Sequence, residues 1–90
     1  LAAKIEYKAS VAKDLKKLDR VLALRLLNKI EETLKAEDRP GKPLAGEFAG
    51  LFALRSGDYR VIYVPTAEGF LVLRIGHRRE VYRRGRPGET

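Results

Sequence analysis

The sequence predicts an α+β domain in which a helical hairpin packs on one face of a small, mostly antiparallel sheet, in the order βααβββ. Two observations carry this. Apolar residues recur at helical spacing through two consecutive stretches between Ser10 and Ala36. After Gly50 the pattern switches to alternation, in three runs joined by the short connections Ser56-Gly-Asp58 and Pro65-Thr-Ala-Glu-Gly69. Connections this short force antiparallel neighbours, so the last three strands form a meander.

The elements follow in order. Ala3–Lys8 alternates, with Ile5 and Tyr7 on one side and charged residues on the other. Ser10 is placed to cap a first helix, because its hydroxyl can accept from the free amides of the first turn. Val11, Leu15 and Leu18 fall on one face of that helix, with Lys13, Lys16 and Lys17 elsewhere. Asp19 caps a second helix running to about Ala36, whose stripe is Leu22, Leu26, Ile30 and Leu34, widened by Leu27. Two amphipathic helices joined so tightly need a sheet to cover their apolar side. Glu37–Gly46, with Pro40, Gly41 and Pro43, is the loop that carries the chain across. Strands are expected at Leu51–Arg55, Tyr59–Val64 and Phe70–Ile75. Glu80–Arg84 reads as a further short strand or a helical turn. The sheet's second face is left for a ligand or partner.

Ninety residues, 44% of them hydrophobic, make one ordered domain over 1–90. No cysteine is present, so no disulfide framework or thiolate chemistry is available. A lone His77 without cysteine argues against a zinc site, and no metal or cofactor is expected. No apolar run approaches the roughly 20 residues of a membrane span. The first residues carry no signal-peptide pattern, and a cytoplasmic location is the expectation. Leu1 rather than Met stands first, which is compatible with a processed or longer start.

The net charge of +7 implies an anionic partner, and it is unevenly placed. Six arginines and two glutamates lie between Leu71 and Thr90. Arg55, Arg60, Arg74, Arg78 and Arg79 sit on or beside the predicted sheet, with Arg83 beyond and His77, Tyr59 and Tyr82 among them. Guanidinium forks suit phosphate, and aromatic rings offer stacking surfaces to unpaired bases. Tyr59 and Tyr63 alternate with Arg60, so they face the helices and belong to the core. Gly76 ends the alternation of Phe70, Val72 and Arg74 against Leu71, Leu73 and Ile75. A turn there lets the following segment lean over the sheet and brings Arg78 toward Arg60.

The order of elements, the loop Lys42-Pro-Leu-Ala-Gly46 and two further runs resemble the RelE/ParE superfamily of toxins. The runs are Leu54-Arg-Ser-Gly-Asp-Tyr-Arg-Val-Ile-Tyr63 and Ile75-Gly-His-Arg-Arg-Glu-Val-Tyr82. The resemblance spans Tyr7 to about Arg84 and is nearer to the RelE branch. It implies a toxin that enters the ribosomal A site and cuts the mRNA codon there. It also implies an antitoxin that wraps the toxin and keeps it inactive, expected to be acidic and partly disordered alone. The implied cleavage needs no metal: the ribose 2′-hydroxyl attacks the adjacent phosphate. Residue by residue, the resemblance makes Arg60 the arginine on the scissile phosphate, Arg78 the arginine near the leaving group, and Tyr82 the tyrosine that orients the base. Arg55, Arg74, His77, Arg79 and Arg83 are the further RNA-binding candidates.

Alternatives stay open at several positions. His77 suits a general base by its ordinary pKa, or a hydrogen bond that holds the turn. Tyr82 stacks on a base or anchors the tail. Where the family carries two lysines before the hairpin turn, this chain has Leu51 and Ala53. That departure is compatible with a weak nuclease, a different base or an engineered loss of toxicity. Two other functions remain: a ParE-like inhibitor of DNA gyrase, and a homologue that only binds its antitoxin.

Overall fold

The computed structural model describes residues 3–36 and 41–83. Strand β1 (Lys4–Tyr7) leads into helices α1 (Ala9–Lys16) and α2 (Arg20–Lys35). A two-residue strand β2 (Lys42–Pro43) and a 3₁₀ turn (Gly46–Phe48) precede β3 (Phe52–Ser56), β4 (Tyr59–Pro65) and β5 (Gly69–His77). The sheet runs β1-β5-β4-β3-β2. Only the β1–β5 pair is parallel. The α+β architecture and the meander stand as expected, with β2 as an added edge too short to show in any periodicity.

Asp19 caps α2, its carboxylate accepting from the Val21 amide at 3.2 Å. Ser10 does not cap α1. That helix begins at Ala9, after an extended Lys8, and Ser10 is already helical. Gly69 is glycine for lack of room: a Cβ there would collide with the Lys4 backbone of the neighbouring strand. Gly57 takes φ +58 in the β3–β4 turn, which an L side chain resists.

The helices cover one face of the sheet. Val11 of α1 and Leu26, Ile30 and Leu34 of α2 pack on Leu54, Val61, Tyr63, Val72 and Ile75. Tyr63 is buried and Tyr59 packs at the edge of this cluster, as their alternation with Arg60 required. The second face is not left free. Leu51, Ala53, Ile62, Leu73 and Val81 form a second buried cluster, flanked by Leu44, Phe48, Val64, Leu71 and Tyr82. The 3₁₀ turn and the turn after β5 thus roof part of the face that was expected to be open.

One irregularity reorders β5. Ile62 pairs with Arg74 but Tyr63 pairs with Val72, so Leu73 is an extra residue in the strand. A bulge of this kind leaves two successive residues on one face. Leu73 and Arg74 therefore share the second face, and Ile75 joins Val72 against the helices. The expected split of Arg74 from Leu73 is overturned. Gly76 does not turn the chain either. The strand runs on to His77, whose carbonyl accepts from both the Glu80 and Val81 amides at 2.9 Å.

A polar tie joins α2 to β1. The Tyr7 hydroxyl donates to Glu31 at 2.9 Å, and Lys35 Nζ lies 3.0 Å from the other Glu31 oxygen. Burial, then the Glu31 carboxylate, pushes the Tyr7 phenol well above its ordinary value. The hydrogen bonds from Lys35 and then Tyr7 hold the Glu31 carboxyl below its usual 4.5. A carboxyl with a lowered folded pKa adds stability above its unfolded value and loses it as pH falls. We therefore expect the gap in melting temperature between the wild type and Glu31→Gln to be present near neutral pH and to shrink below about pH 4.5. Melts across that range with a constant gap would contradict it. Glu31 is partly exposed, so the gap should be small.

Candidate nucleic-acid interface

Strand alternation assembles the basic face. Ala53 and Ile62 point into the second cluster, so Arg55 and Arg60, two residues away on β3 and β4, lie on the same side. They are directly paired across the strands, and Arg60 in turn pairs with Gly76 on β5. Ala53, Ile62 and Arg74 form the next row. Like charges directly opposite each other cost stability, and the cost is recovered when an anion lies between them.

The β3–β4 turn holds two of these cations. Arg60 is half-buried, and its Nη1 donates to the carbonyls of Gly57 and Tyr59, both at 2.9 Å. The Arg78 amide donates to the Asp58 carbonyl at 2.7 Å, and Arg78 Nε lies 3.4 Å from Asp58 Oδ1. The structure thus ties Arg60 and Arg78 to one turn, by a different route from the glycine hinge expected at Gly76. Arg74 Nη1 donates to the Val81 carbonyl at 2.7 Å and helps to seat the last turn.

Tyr82 is half-buried and meets the Phe48 ring edge-on, with centroids 5.4 Å apart. It is anchored to the second cluster beside the basic face. Arg55, Arg79 and Arg83 are exposed. His77 lies at the end of β5, on the side of the sheet opposite Arg60, and shares a cleft with Arg74. It pairs with Tyr59, their rings meeting edge-on at 5.5 Å, on the helix side of the sheet. There it borders a cleft of about 300 Å³ with Asp14, Lys17 and Leu18. Its Nδ1 accepts from the Arg79 amide at 3.1 Å, so the hydrogen bond that holds the turn is present.

Leu51 and Ala53 are buried, Ala53 at 5% exposure. The expectation that the sheet's second face is left for a ligand or partner is therefore corrected at Ala53, which the roof formed by the two turns covers. Three residues that sequence reasoning did not single out shape the site. Asp58 holds Arg78, Phe48 supports Tyr82, and Asp14 accepts from the Ile75 amide at 3.0 Å, covering β5 where β1 has ended. Only Asp58 carried a sequence signal, its place between a turn glycine and Tyr59-Arg60. Among the described residues, no three His, Cys, Asp or Glu side chains group to hold a metal ion. No helix among them is long and apolar enough to cross a membrane.

Comparison with known proteins points one way. The family described as the ParE toxin of type II toxin–antitoxin system, parDE, matches residues 5–82. Toxin RelG of Mycobacterium tuberculosis is 35% identical over 83 residues, which covers 89% of this chain and 95% of RelG. The toxin–antitoxin complex RelBE2 of the same organism contains a chain that superposes with a TM-score of 0.77 at 31% identity, over 87% of this chain and 93% of that one. A chain of the RelB–RelE antitoxin–toxin complex of Methanococcus jannaschii shares the fold, with a TM-score of 0.67 at 21% identity over 86% of this chain and 94% of that one.

Proposed function

Since the chain belongs to the ParE toxin family of type II toxin–antitoxin systems, within the RelE/ParE toxins, we propose that it is a ribosome-dependent mRNA endoribonuclease. The observation that carries this reading is the pair of guanidiniums, Arg60 and Arg78, tied to one hairpin turn beside Arg55. In-line attack of a ribose 2′-hydroxyl on the adjacent phosphate builds a doubly charged phosphorane. Two fixed guanidiniums stabilise that charge more than they stabilise the singly charged ground state. The bond to the 5′-oxygen then breaks, leaving a 2′,3′-cyclic phosphate and a free 5′-hydroxyl. Arg60 contacts the scissile phosphate, Arg78 the leaving group, and Tyr82 orients the base. Arg55, Arg74, Arg79 and Arg83 supply diffuse attraction to RNA. Such a toxin works in the cytoplasm, on mRNA in the ribosome.

Inducing the chain in a cell and mapping mRNA 5′ ends tests this reading. Cuts in translated codons, in frame, are expected. Intact mRNA with DNA damage and filamentation would instead identify a gyrase inhibitor. That second reading is favoured by Leu51 and Ala53, which leave the strand before the hairpin with no basic group at those positions. An absence of any growth defect would leave antitoxin binding alone.

The partner in this reading is an acidic antitoxin, partly unstructured alone, with an amphipathic helix. Val21 and Leu24 are the exposed large hydrophobics among the described residues, at 62% and 53%, and adjoin on the outer side of α2. Arg25 and Lys29 border them, with Glu32 beyond. An apolar stripe edged by cations suits the apolar face of an acidic helix. Leu24→Glu should weaken antitoxin binding by roughly tenfold or more and leave the melting temperature nearly unchanged. Unaltered affinity in a binding titration would remove this surface from the interface.

A further inference from the structure

We propose that Asp58 is a positioning residue, which makes Gly57-Asp58-Tyr59 a single fixture for both phosphate-contacting arginines. The inference rests on the reading of Arg60 and Arg78 given above. Every acceptor that this turn offers to the two arginines is well defined. The Gly57 and Tyr59 carbonyls take both hydrogens of Arg60 Nη1, at 2.9 Å each. The Asp58 carbonyl takes the Arg78 amide at 2.7 Å, and its carboxylate faces Arg78 Nε at 3.4 Å. A guanidinium has five N–H donors in a planar fork. Engaging Nη1 of Arg60 fixes that plane and leaves Nε and Nη2 to an anion. The ion pair at Nε of Arg78 biases the second guanidinium toward the turn and leaves both terminal nitrogens to an anion.

The carboxylate has a second effect, on charge. Asp58 offsets part of the positive charge that the two arginines bring to the turn. When a phosphate arrives it meets Asp58 as a like charge nearby. Asp58 therefore orients Arg78 for the transition state while opposing tight binding of the ground state. Loss of Asp58 then lowers turnover without weakening substrate binding. A residue that merely stabilised the fold would not separate the two. The pair is exposed, 51% and 68% at the two side chains, and exposed pairs contribute little stability. The variants should therefore fold.

The test uses the whole chain as wild type, Asp58→Ala and Asp58→Asn, with mRNA on programmed ribosomes as substrate. For Asp58→Ala, kcat should fall by roughly three- to fivefold, in keeping with an exposed pair and far less than for loss of a guanidinium itself, while KM stays level or falls. Asp58→Asn keeps an acceptor for Nε and should recover part of kcat. Alongside, ¹⁵N relaxation at Arg78 Nε should report lost order in Asp58→Ala and partial order in Asp58→Asn. An active wild type whose kcat is unchanged by Asp58→Ala would overturn the proposal. So would an Arg78 Nε equally ordered in wild type and Asp58→Ala. A wild type that cuts no mRNA would end the nuclease reading, and the relaxation result alone would then decide whether Asp58 is the fixture.

Discussion

Arg78→Ala is expected to slow mRNA cleavage by about 10²–10³, roughly 3–4 kcal/mol of transition-state stabilisation, while ribosome binding falls only slightly. The reasons are separable. In the proposed reading, binding is spread over many cations, including Lys13 and Lys16 on α1, Lys17 at its end and the exposed Arg55, Arg79 and Arg83, so one loss is diluted. The proposed chemical step depends on a guanidinium where charge develops. Arg78 is tied to the β3–β4 turn through its own amide, and alanine keeps that bond. Only the side chain is lost, together with an exposed ion pair worth about 1 kcal/mol at most. A folded Arg78→Ala chain that cuts at the wild-type rate would remove the nuclease assignment at its centre. Tyr82 is a less clean probe, because its ring also packs on Phe48.

The second large effect is on stability. Ala53→Arg is expected to destabilise the protein by about 3 kcal/mol or more, since it forces a charged side chain into a closed cluster. Ala53 faces Ile62 across the β3–β4 pair and Lys42 on β2, and it lies under the roof that includes Val81. The side chains that close around Ala53 are apolar. In a chain of this size that loss lowers the melting temperature by more than about 10 °C. A melt within a degree or two of wild type, with stronger growth inhibition, would mean that the roof opens and the arginine reaches solvent.

That reversal at Ala53 shows where the sequence was legible and where it was not. The helical stripes, the Asp19 cap and the Ser56-Gly-Asp58 hairpin were readable, because each is a local pattern with a local cause. That Arg60 and Arg78 come to one turn was readable too, although the expected glycine hinge is not what brings them there. The bulge at Leu73 was hidden, since one inserted residue leaves an alternating run looking regular on paper and shows only against its partner strand. The second cluster was hidden for another reason. Leu44, Phe48, Val81 and Tyr82 come from turns with no period, so nothing local says that they meet. Without that roof, Leu51 and Ala53 read as an exposed strand face.

The parallel pairing of β1 with β5 has a consequence for the order of assembly. Lys4 sits opposite Gly69 and Tyr7 opposite Val72, so β1 closes on β5 across the helices and the hairpin between them. Contacts this far apart in sequence carry a large loop-closure entropy and form late. As the chain leaves the ribosome that makes it, the helices emerge first, with no sheet to cover. β3 and β4 can pair as soon as their hairpin is out, but β1 must wait for β5. The segment that carries Arg74, Arg78 and Tyr82 is synthesised after both helices and after the β3–β4 hairpin. The basic face therefore comes into being only after β5 and the turn that follows it have been made, so a chain that stops short of Arg78 carries Arg60 without its second guanidinium.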